Sequence, residues 1–199
     1  LNLDEKEYLK YLDLVCIGTI SDIVPLVDEN RVIAKLGLKL IEQTKNIGLR
    51  TLLNIANFKK IDSNAISFGV APRINACGRM GAQEEALKLF LTEDKQEALK
   101  IAKNLVKFNQ ERQNTEKQIF EDVIQEIEKN NDKEKKCIVL AKENWHHGII
   151  GIVSSKVTEM YYKPSILICL EGDMGKGSGR SVPAVSYTHL RAHETLANL

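Results

Sequence analysis

The sequence predicts an α/β protein in which a mostly helical N-terminal part, one long helix and a short β–α–β segment follow one another. Up to about residue 92, apolar residues recur every three or four positions, as they do on one face of a helix. From about Asp94 to Asn130 neither proline nor glycine interrupts the helical pattern. Two short apolar runs, Cys137–Ala141 and Ser165–Leu170, then flank the helical pattern of Gly148–Tyr162. This spacing predicts two parallel strands joined by a helix.

Five shorter helices are predicted before the long one. They run from residue 4 to about 20, from Asn30 through Ile41, from Gly48 through Ile55, from Ser63 to near Gly69, and from Gly81 to Leu91. Asn30 and Ser63 are the expected N-caps, because their side chains can accept a hydrogen bond from the first helical turn. The segment between the last two helices, Pro72 to Arg79, is predicted to be a polar loop.

The long helix is predicted to connect two globular units. The expected division is residues 1–92, a connector at 93–131, and residues 132–184. The connector would span on the order of 50 Å at 1.5 Å per residue. Its apolar stripe is interrupted by the polar residues Arg112 and Thr115. This interruption favours a helix whose middle is exposed to solvent between two globular units. A helix packed along its whole length, or a coiled-coil arm, would fit the same stripe.

Composition excludes several classes of function. The 199 residues carry 28 basic and 27 acidic side chains. A net charge of +1 produces no overall electrostatic attraction to an anionic partner such as nucleic acid or a membrane surface. Any anion site must therefore be local. No apolar run approaches the roughly 20 residues that a membrane span needs. The four cysteines form no CxxC pair, which argues against a zinc site or a disulfide framework and favours a reduced, cytoplasmic setting.

Both ends of the chain look truncated. The sequence starts at Leu1, already beside helical sequence and without a signal peptide. From Val185 to Leu199 it resembles the translation of a transposase-type sequencing adapter, and we treat this segment as an assembly artefact; an ordinary short tail is the alternative. Without it only His146 and His147 remain of the four histidines, so a histidine-rich metal site is not expected.

The segment Pro72–Arg79 is the first that could carry chemistry. The guanidinium groups of Arg73 and Arg79 suit bidentate capture of phosphate or carboxylate. Asn75 can both donate and accept a hydrogen bond, and Gly78 permits a positive φ or a close backbone approach. A structural segment, in which an arginine caps a helix end and a glycine terminates it, explains the same residues.

Asp22, which follows the first helix, is a candidate metal ligand. An aspartate in this position is more often a turn residue or an N-cap. A Mg²⁺ or Mn²⁺ site takes several oxygen ligands. Neither a DxD motif nor Asp-His-His occurs in the chain, so partners for Asp22 would have to come from outside it.

The segment Trp145-His146-His147-Gly148 follows the first predicted strand, at the sheet edge where α/β units place their ligands. Trp145 offers a face on which a base can stack, and His146 or His147 can hydrogen-bond phosphate near the start of the next helix. A tryptophan that covers the core, with histidines as helix caps, is the alternative.

The third segment is Gly177-Ser178-Gly179-Arg180-Ser181. Alternating glycine and small hydroxyl residues expose backbone N–H groups that can cradle an anion, and Arg180 adds a guanidinium fork. A glycine-rich edge strand would produce the same pattern.

Taken in order, these features resemble the DHH phosphoesterase superfamily from Leu1 to Ala184, and most closely its exonucleases specific for single-stranded DNA. The resemblance implies the mostly helical C-terminal part of a DHH catalytic domain, the connector, and the start of an α/β DHH-associated domain. Gly18–Asp22 resembles the fourth catalytic motif, and Pro72–Arg79 resembles the segment that follows the catalytic domain. Trp145–Val153, together with Gly177–Ser181, resembles the start of the nucleic-acid-binding associated domain.

The family's first and second acidic motifs and its Asp-His-His motif would lie upstream of Leu1, and its Gly-Gly-His segment shortly after Ser181. The chain departs from the family also at Cys77, where alanine is expected. Because one carboxylate cannot assemble a metal site, the resemblance implies a piece of an exonuclease that is inactive by itself.

The intact enzyme, as the resemblance implies, would hydrolyse single-stranded DNA in the 5′→3′ direction with Mn²⁺ or Mg²⁺, in DNA repair and recombination. A single-strand-binding protein or a helicase would be a further partner, no membrane is involved, and the oligomeric state is open. The alternatives are a DHH phosphodiesterase for short oligonucleotides or cyclic dinucleotides, and a non-catalytic nucleic-acid-binding module.

The resemblance also implies roles for individual residues. Asp22 would hold metal, and Arg73, Arg79 and Arg180 would contact phosphates. Asn75 would position a phosphate or its own segment. The remaining residues would line the path of the strand: Trp145, His146, Gly177, Ser178 and Gly179.

Overall fold

The computed structural model describes residues 8–185 and shows an α/β chain made of two compact units that divide between Gln110 and Glu111. The elements are α1 (Leu12–Ser21), α2 (Asp28–Glu42), α3 (Ile47–Ala56), a π-helix (Ala65–Val70), α4 (Ala71–Arg79), α5 (Gln83–Leu91), α6 (Lys95–Lys129), β1 (Ile138–Glu143), α7 (His147–Tyr161), β2 (Ser165–Glu171) and β3 (Met174–Arg180), with short 3₁₀ turns at Tyr8–Tyr11 and Asp132–Glu134. The division falls inside α6. The predicted α/β class and the predicted long helix are confirmed; the adapter-like tail beyond Val185 lies outside the described residues.

The N-terminal unit is built around a helical core to which the first half of α6 also contributes. Its fully buried residues include Ile41, Leu49, Leu52, Ile66, Leu89 and Leu105. Burial raises the pKa of the thiols of Cys16 and Cys77 in this core to about 11, so both stay neutral. Among the described residues, no helix combines the length and apolar character that a membrane crossing requires.

Asn46 fixes the start of α3 against the end of α5. Its side-chain oxygen accepts a hydrogen bond from the backbone N–H of Leu49 at 2.8 Å, and its side-chain nitrogen donates to the carbonyl of Phe90 at 2.8 Å. The helices then approach so closely that a Cβ on Gly48 would lie 1.7 Å from the carbonyl oxygen of Leu89. Only glycine fits at this point.

The C-terminal unit contains a three-stranded sheet in the order β1-β2-β3. β1 and β2 are parallel, as predicted, and β3 returns antiparallel to β2. One face of the sheet packs under α7, where Leu167, Cys169 and Val153 are buried. The opposite face is more open, and Val139 there is 52% exposed.

Both expected N-caps, Asn30 and Ser63, are wrong. α2 begins at Asp28, and Asn30 lies inside its first turn, with its side-chain nitrogen donating to the carbonyl of Pro25 at 3.1 Å. The carboxylates of Asp28 and Glu29 favour this earlier start because they interact with the positive end of the helix dipole. At the π-helix it is Asp62, not Ser63, whose side chain accepts a hydrogen bond, from the N–H of Ala65 at 2.9 Å.

Substituting Gly48 should test the α3–α5 contact. Gly48→Ala is expected to lower the free energy of unfolding by about 1–3 kcal/mol, because the added methyl group meets backbone that cannot move aside. Gly78→Ala is the matched control: its Cβ would meet no atom within 4 Å, and alanine should stabilise α4 by about 0.5–1 kcal/mol. Urea unfolding of the two variants measures both effects, and equal stabilities would contradict this packing.

Candidate functional site

The segment from Pro72 to Arg79 is helical, and its prediction as a loop is wrong. α4 begins at Ala71, directly after the π-helix, with Pro72 in its first turn. Proline is well suited there, because the first N–H groups of a helix have no partner within the helix. The expected positive φ is found at Gly81, where φ is 75°, and Gly78 is helical.

One cleft in the N-terminal unit brings two of the predicted residues together. Asp22, at the end of α1, and Asn75, on α4, both line a cavity of about 310 Å³. Their side chains are exposed. The other lining residues are Leu14, Ile17, Gly18, Ser21, Ile74 and Phe90. A carboxylate and an amide therefore line the same, otherwise largely apolar, cleft.

Ser21 is a cleft residue that the sequence analysis missed. Its hydroxyl oxygen is buried and has no hydrogen-bond partner within the described residues. A serine before an aspartate at a helix end is too common to signal this, because burial and missing partners are tertiary properties. With Asp22 and Asn75 it adds a third oxygen of the type that hard divalent cations prefer.

The cleft offers only part of a metal site. In residues 8–185, no group of three or more His, Cys, Asp and Glu side chains lies close enough together to hold a metal ion. Asp22 can therefore supply one carboxylate to a larger set of ligands, and the described residues do not complete that set.

The two arginines of α4 do not line this cleft. Arg73 is half-buried, and its Nη1 donates to the carbonyl of Gly69 in the π-helix at 2.5 Å. Its Nε is buried and has no hydrogen-bond partner in residues 8–185, and burial lowers the pKa of its guanidinium group. Arg79, the last residue of α4, is exposed. Arg73 thus holds the junction between the π-helix and α4, and Arg79 is on the surface.

Trp145 is in the core of the C-terminal unit. Its side chain is 5% exposed, and its indole N–H donates to Asp122 Oδ2 on α6 at 2.7 Å. Lys142 on β1 donates to the other oxygen of the same carboxylate at 2.6 Å. This placement agrees with the alternative in which the tryptophan covers the core, since a buried ring offers no open face to a base.

His146 is the N-cap of α7, and its Nδ1 accepts a hydrogen bond from the N–H of Gly148 at 3.1 Å. Its ring stacks on that of His147, with ring centroids 5.2 Å apart. His147 Nδ1 in turn lies 3.2 Å from Glu171 Oε1. Burial, and then the neighbouring His147, lower the pKa of His146. The imidazole is therefore neutral near pH 7 and carries its proton on Nε2, a donor that could face an anion.

Gly177–Arg180 forms part of β3, an extended strand, and not an anion-cradling turn. This is the edge-strand alternative, and it arises because β3 pairs with β2 along its whole length. Ser178 is opposite Leu167 and Arg180 is opposite Ser165, so both side chains project from the face covered by α7. Gly177 and Gly179 alternate with them and leave the other face without side chains at these two positions.

Arg180 is oriented over α7 by several hydrogen bonds. Its Nε donates to Ser155 Oγ at 3.0 Å, and its Nη1 donates to the carbonyl of Gly179 at 2.7 Å. A Cβ on Gly151 would lie 3.0 Å from Ser178 Oγ and 3.5 Å from Arg180 Nη2. The glycine therefore leaves room on α7 for the serine and the arginine, whose guanidinium group remains exposed.

No family model matches the chain. Over 175 residues the chain is 37% identical to the single-stranded-DNA-specific exonuclease RecJ of Bacillus subtilis. This alignment covers 86% of the chain and 22% of the relative. The RecJ proteins of Thermus thermophilus and Escherichia coli are 37% and 32% identical over 94% and 90% of the chain, and over 27% and 32% of their own length. The chain thus spans about a fifth to a third of the length of these relatives.

Solved structures give the same result. The crystal structure of RecJ from Thermus thermophilus in complex with Mg²⁺ aligns with 94% of the chain at a TM-score of 0.82 and 34% identity, and the chain covers 29% of it. The complex with Mn²⁺ aligns at the same TM-score and 36% identity, with 28% of that structure covered. Over nearly its whole length, the chain therefore resembles part of RecJ, in agreement with the family resemblance read from its motifs.

The Asp122 carboxylate provides a test of how Trp145 is held. Burial tends to raise its pKa, but the hydrogen bonds from Lys142 and Trp145 and the charge of Lys142 outweigh burial, so the pKa is below its ordinary value of 3.8. The stability that this carboxylate contributes is therefore present above about pH 4, its unfolded pKa. It is lost as the pH falls through the lower folded pKa.

Asp122→Asn should accordingly lower the free energy of unfolding near pH 7 by about 1 kcal/mol. This loss is small for hydrogen bonds to a charged group because the carboxylate is partly exposed to solvent. The difference from the unsubstituted chain should shrink as the pH is lowered from 6 to 2. Urea unfolding followed by Trp145 fluorescence measures it. Asp173→Asn, in the exposed turn before β3, is the control. A difference that is independent of pH would contradict this arrangement.

Proposed function

We propose that this chain is part of an exonuclease specific for single-stranded DNA, which hydrolyses phosphodiester bonds in the 5′→3′ direction. The proposal is carried by one observation: Asp22, in the segment that resembles a catalytic motif, lines a cleft together with Asn75 from α4. The relatives named RecJ, which align with 86% or more of the chain, support it. The proposed setting is cytoplasmic DNA repair and recombination, with a single-strand-binding protein or a helicase as further partner.

Mn²⁺ or Mg²⁺ is the proposed cofactor of the whole enzyme, as in the solved RecJ complexes. The cleft offers oxygen ligands for such an ion, because its lining includes the exposed Asp22 together with Ser21 and Asn75. The bound metal would supply charge neutralisation and an activated water. The remaining carboxylates would have to come from outside residues 8–185.

The described residues have distinct proposed roles in this enzyme. Asp22 holds metal, and Asn75 orients a phosphate beside it. Arg79 is exposed at the end of α4 and contacts a phosphate, whereas Arg73 acts indirectly by tying α4 to the π-helix. Arg73 is therefore a positioning residue.

In the C-terminal unit, Arg180 and Ser178 contact the DNA backbone, whereas Gly177 and Gly179 alternate with them on the opposite face of the sheet. Arg180 retains guanidinium N–H groups for a phosphate besides those bonded to Ser155, Ser178 and Gly179. His146 offers the Nε2 donor, and Trp145 holds the turn that carries it, through its bond to Asp122.

DNA binding by the chain should show the proposed specificity. Fluorescent single-stranded DNA should bind more tightly than duplex, and the affinity should fall as salt rises from 50 to 200 mM, since phosphate contacts release counterions. Arg180→Ala should weaken binding about tenfold, and Arg180→Lys should restore only part of it, because an ammonium group lacks the fork. Lys129→Ala, an exposed lysine at the end of α6, is the control. Binding of cyclic dinucleotides in preference to single strands would overturn the proposal.

The chain alone should not cleave DNA. With 5′-phosphorylated single-stranded DNA and either Mn²⁺ or Mg²⁺, we expect no product above background, because Asp22 is one carboxylate of an incomplete set. Gel analysis of labelled DNA checks this, with the Asp22→Asn chain as a control for contaminating nuclease. Cleavage by the unsubstituted chain that disappears in Asp22→Asn would contradict this prediction and show that the chain itself completes the metal site.

A further inference from the structure

We infer a second nucleotide-binding subsite on the C-terminal half of α6, where it faces α7. A cleft of about 300 Å³ lies there, lined by Arg112, Gln113, Glu116, Lys117, Phe120 and Lys156. It is separate from the cleft of Asp22 and uses none of the residues that the proposed function places on the DNA. This inference rests on the proposed function, since it names where the single strand continues.

The charges of the cleft favour an anion. Three of its lining residues are cations and one is a carboxylate, Glu116, which is 6% exposed. Glu116 pairs with Arg112 at 2.5 Å and also with Lys156. Lys117 at the rim adds a further positive charge that is paired only weakly, 3.8 Å from Glu121.

The buried carboxylate also orients the cations. Lys156 reaches Glu116 from α7, yet its side chain is 51% exposed. An ammonium group has three N–H donors, so Lys156 can hold Glu116 and still donate to a phosphate. Lys117 is 76% exposed and free to move toward the same phosphate or the next one.

Phe120 provides the apolar wall. Its ring is half-buried, and Lys156 Nζ lies 5.8 Å from the ring centroid. An aromatic face beside cations is the combination that binds single-stranded nucleic acid without sequence preference, with a base on the ring and phosphates on the cations. A duplex keeps its bases stacked inside, so the cleft suits an unpaired nucleotide.

Arg180 and the cleft both use α7. Arg180 donates to Ser155, and Lys156, the next residue, pairs with Glu116 on α6. Successive residues of a helix point about 100° apart, so these two cations lie on different sides of α7. The subsite therefore adds a second contact surface to the one at Arg180.

The test uses the 199-residue chain with a 5′-phosphorylated oligothymidine and with an abasic strand of the same length. Phe120→Ala and Phe120→Leu should each weaken oligothymidine binding about tenfold, because both remove the stacking surface, and should leave abasic binding unchanged. Lys117→Gln should weaken both strands and lower the slope of log affinity against log salt by about 0.7. Lys129→Gln is the charge control on the same helix.

Two outcomes would overturn the subsite, and they are distinguishable. If the Phe120 and Lys117 variants, folded by thermal melting, bind like the unsubstituted chain while Arg180→Ala binds more weakly, the subsite is wrong and the proposed function stands. If the unsubstituted chain binds neither strand, both fail for this chain. Equal losses for oligothymidine and abasic DNA in Phe120→Ala would also contradict base stacking.

Discussion

Both hydrophobic cores of the chain depend on one uninterrupted helix. The first half of α6 buries Ala98, Ile101 and Leu105 in the N-terminal unit, and its second half buries Val123 and Ile127. Since no proline or glycine interrupts its 35 residues, the hydrogen-bonded ladder continues across the division between the units. A break in this helix would therefore disturb the packing of both cores.

The second half of α6 also organises the polar contacts of the C-terminal unit. Asp122 receives hydrogen bonds from Trp145 and Lys142, and Glu116 pairs with Lys156. These two carboxylates connect α6 to β1, to the turn before α7 and to α7 itself. The residues proposed to meet DNA, His146 and Arg180, are thus held by a framework that α6 anchors.

Much of this fold could be predicted from the sequence because its signals are local. Apolar periodicity gave the long helix, and two apolar runs gave the parallel strands. The prediction failed at Pro72–Arg79, where proline, asparagine and glycine suggest a loop. Proline instead occupies a first helical turn, and the preceding π-helix leads straight into it. That continuity depends on packing in the surrounding core, which local propensity does not report.

The candidate site was predictable in part for the same reason. Asp22 and Asn75 were named from their motifs, but 53 positions of sequence separate them, and only the folded chain shows that they share a cleft. The buried hydroxyl of Ser21 and the buried ring of Trp145 also depend on tertiary packing. Residue type and spacing indicate which groups could act, whereas burial and partners decide which ones are available.

A chimeric exonuclease would test the central claim most directly. Residues 8–185 would replace the matching segment of the Bacillus subtilis relative, which supplies the parts that this chain lacks. The account predicts that the chimera degrades 5′-phosphorylated single-stranded DNA with Mn²⁺, spares duplex, and loses this activity in Asp22→Asn. A folded chimera that is inactive, or one that is equally active with Asp22→Asn, would contradict it.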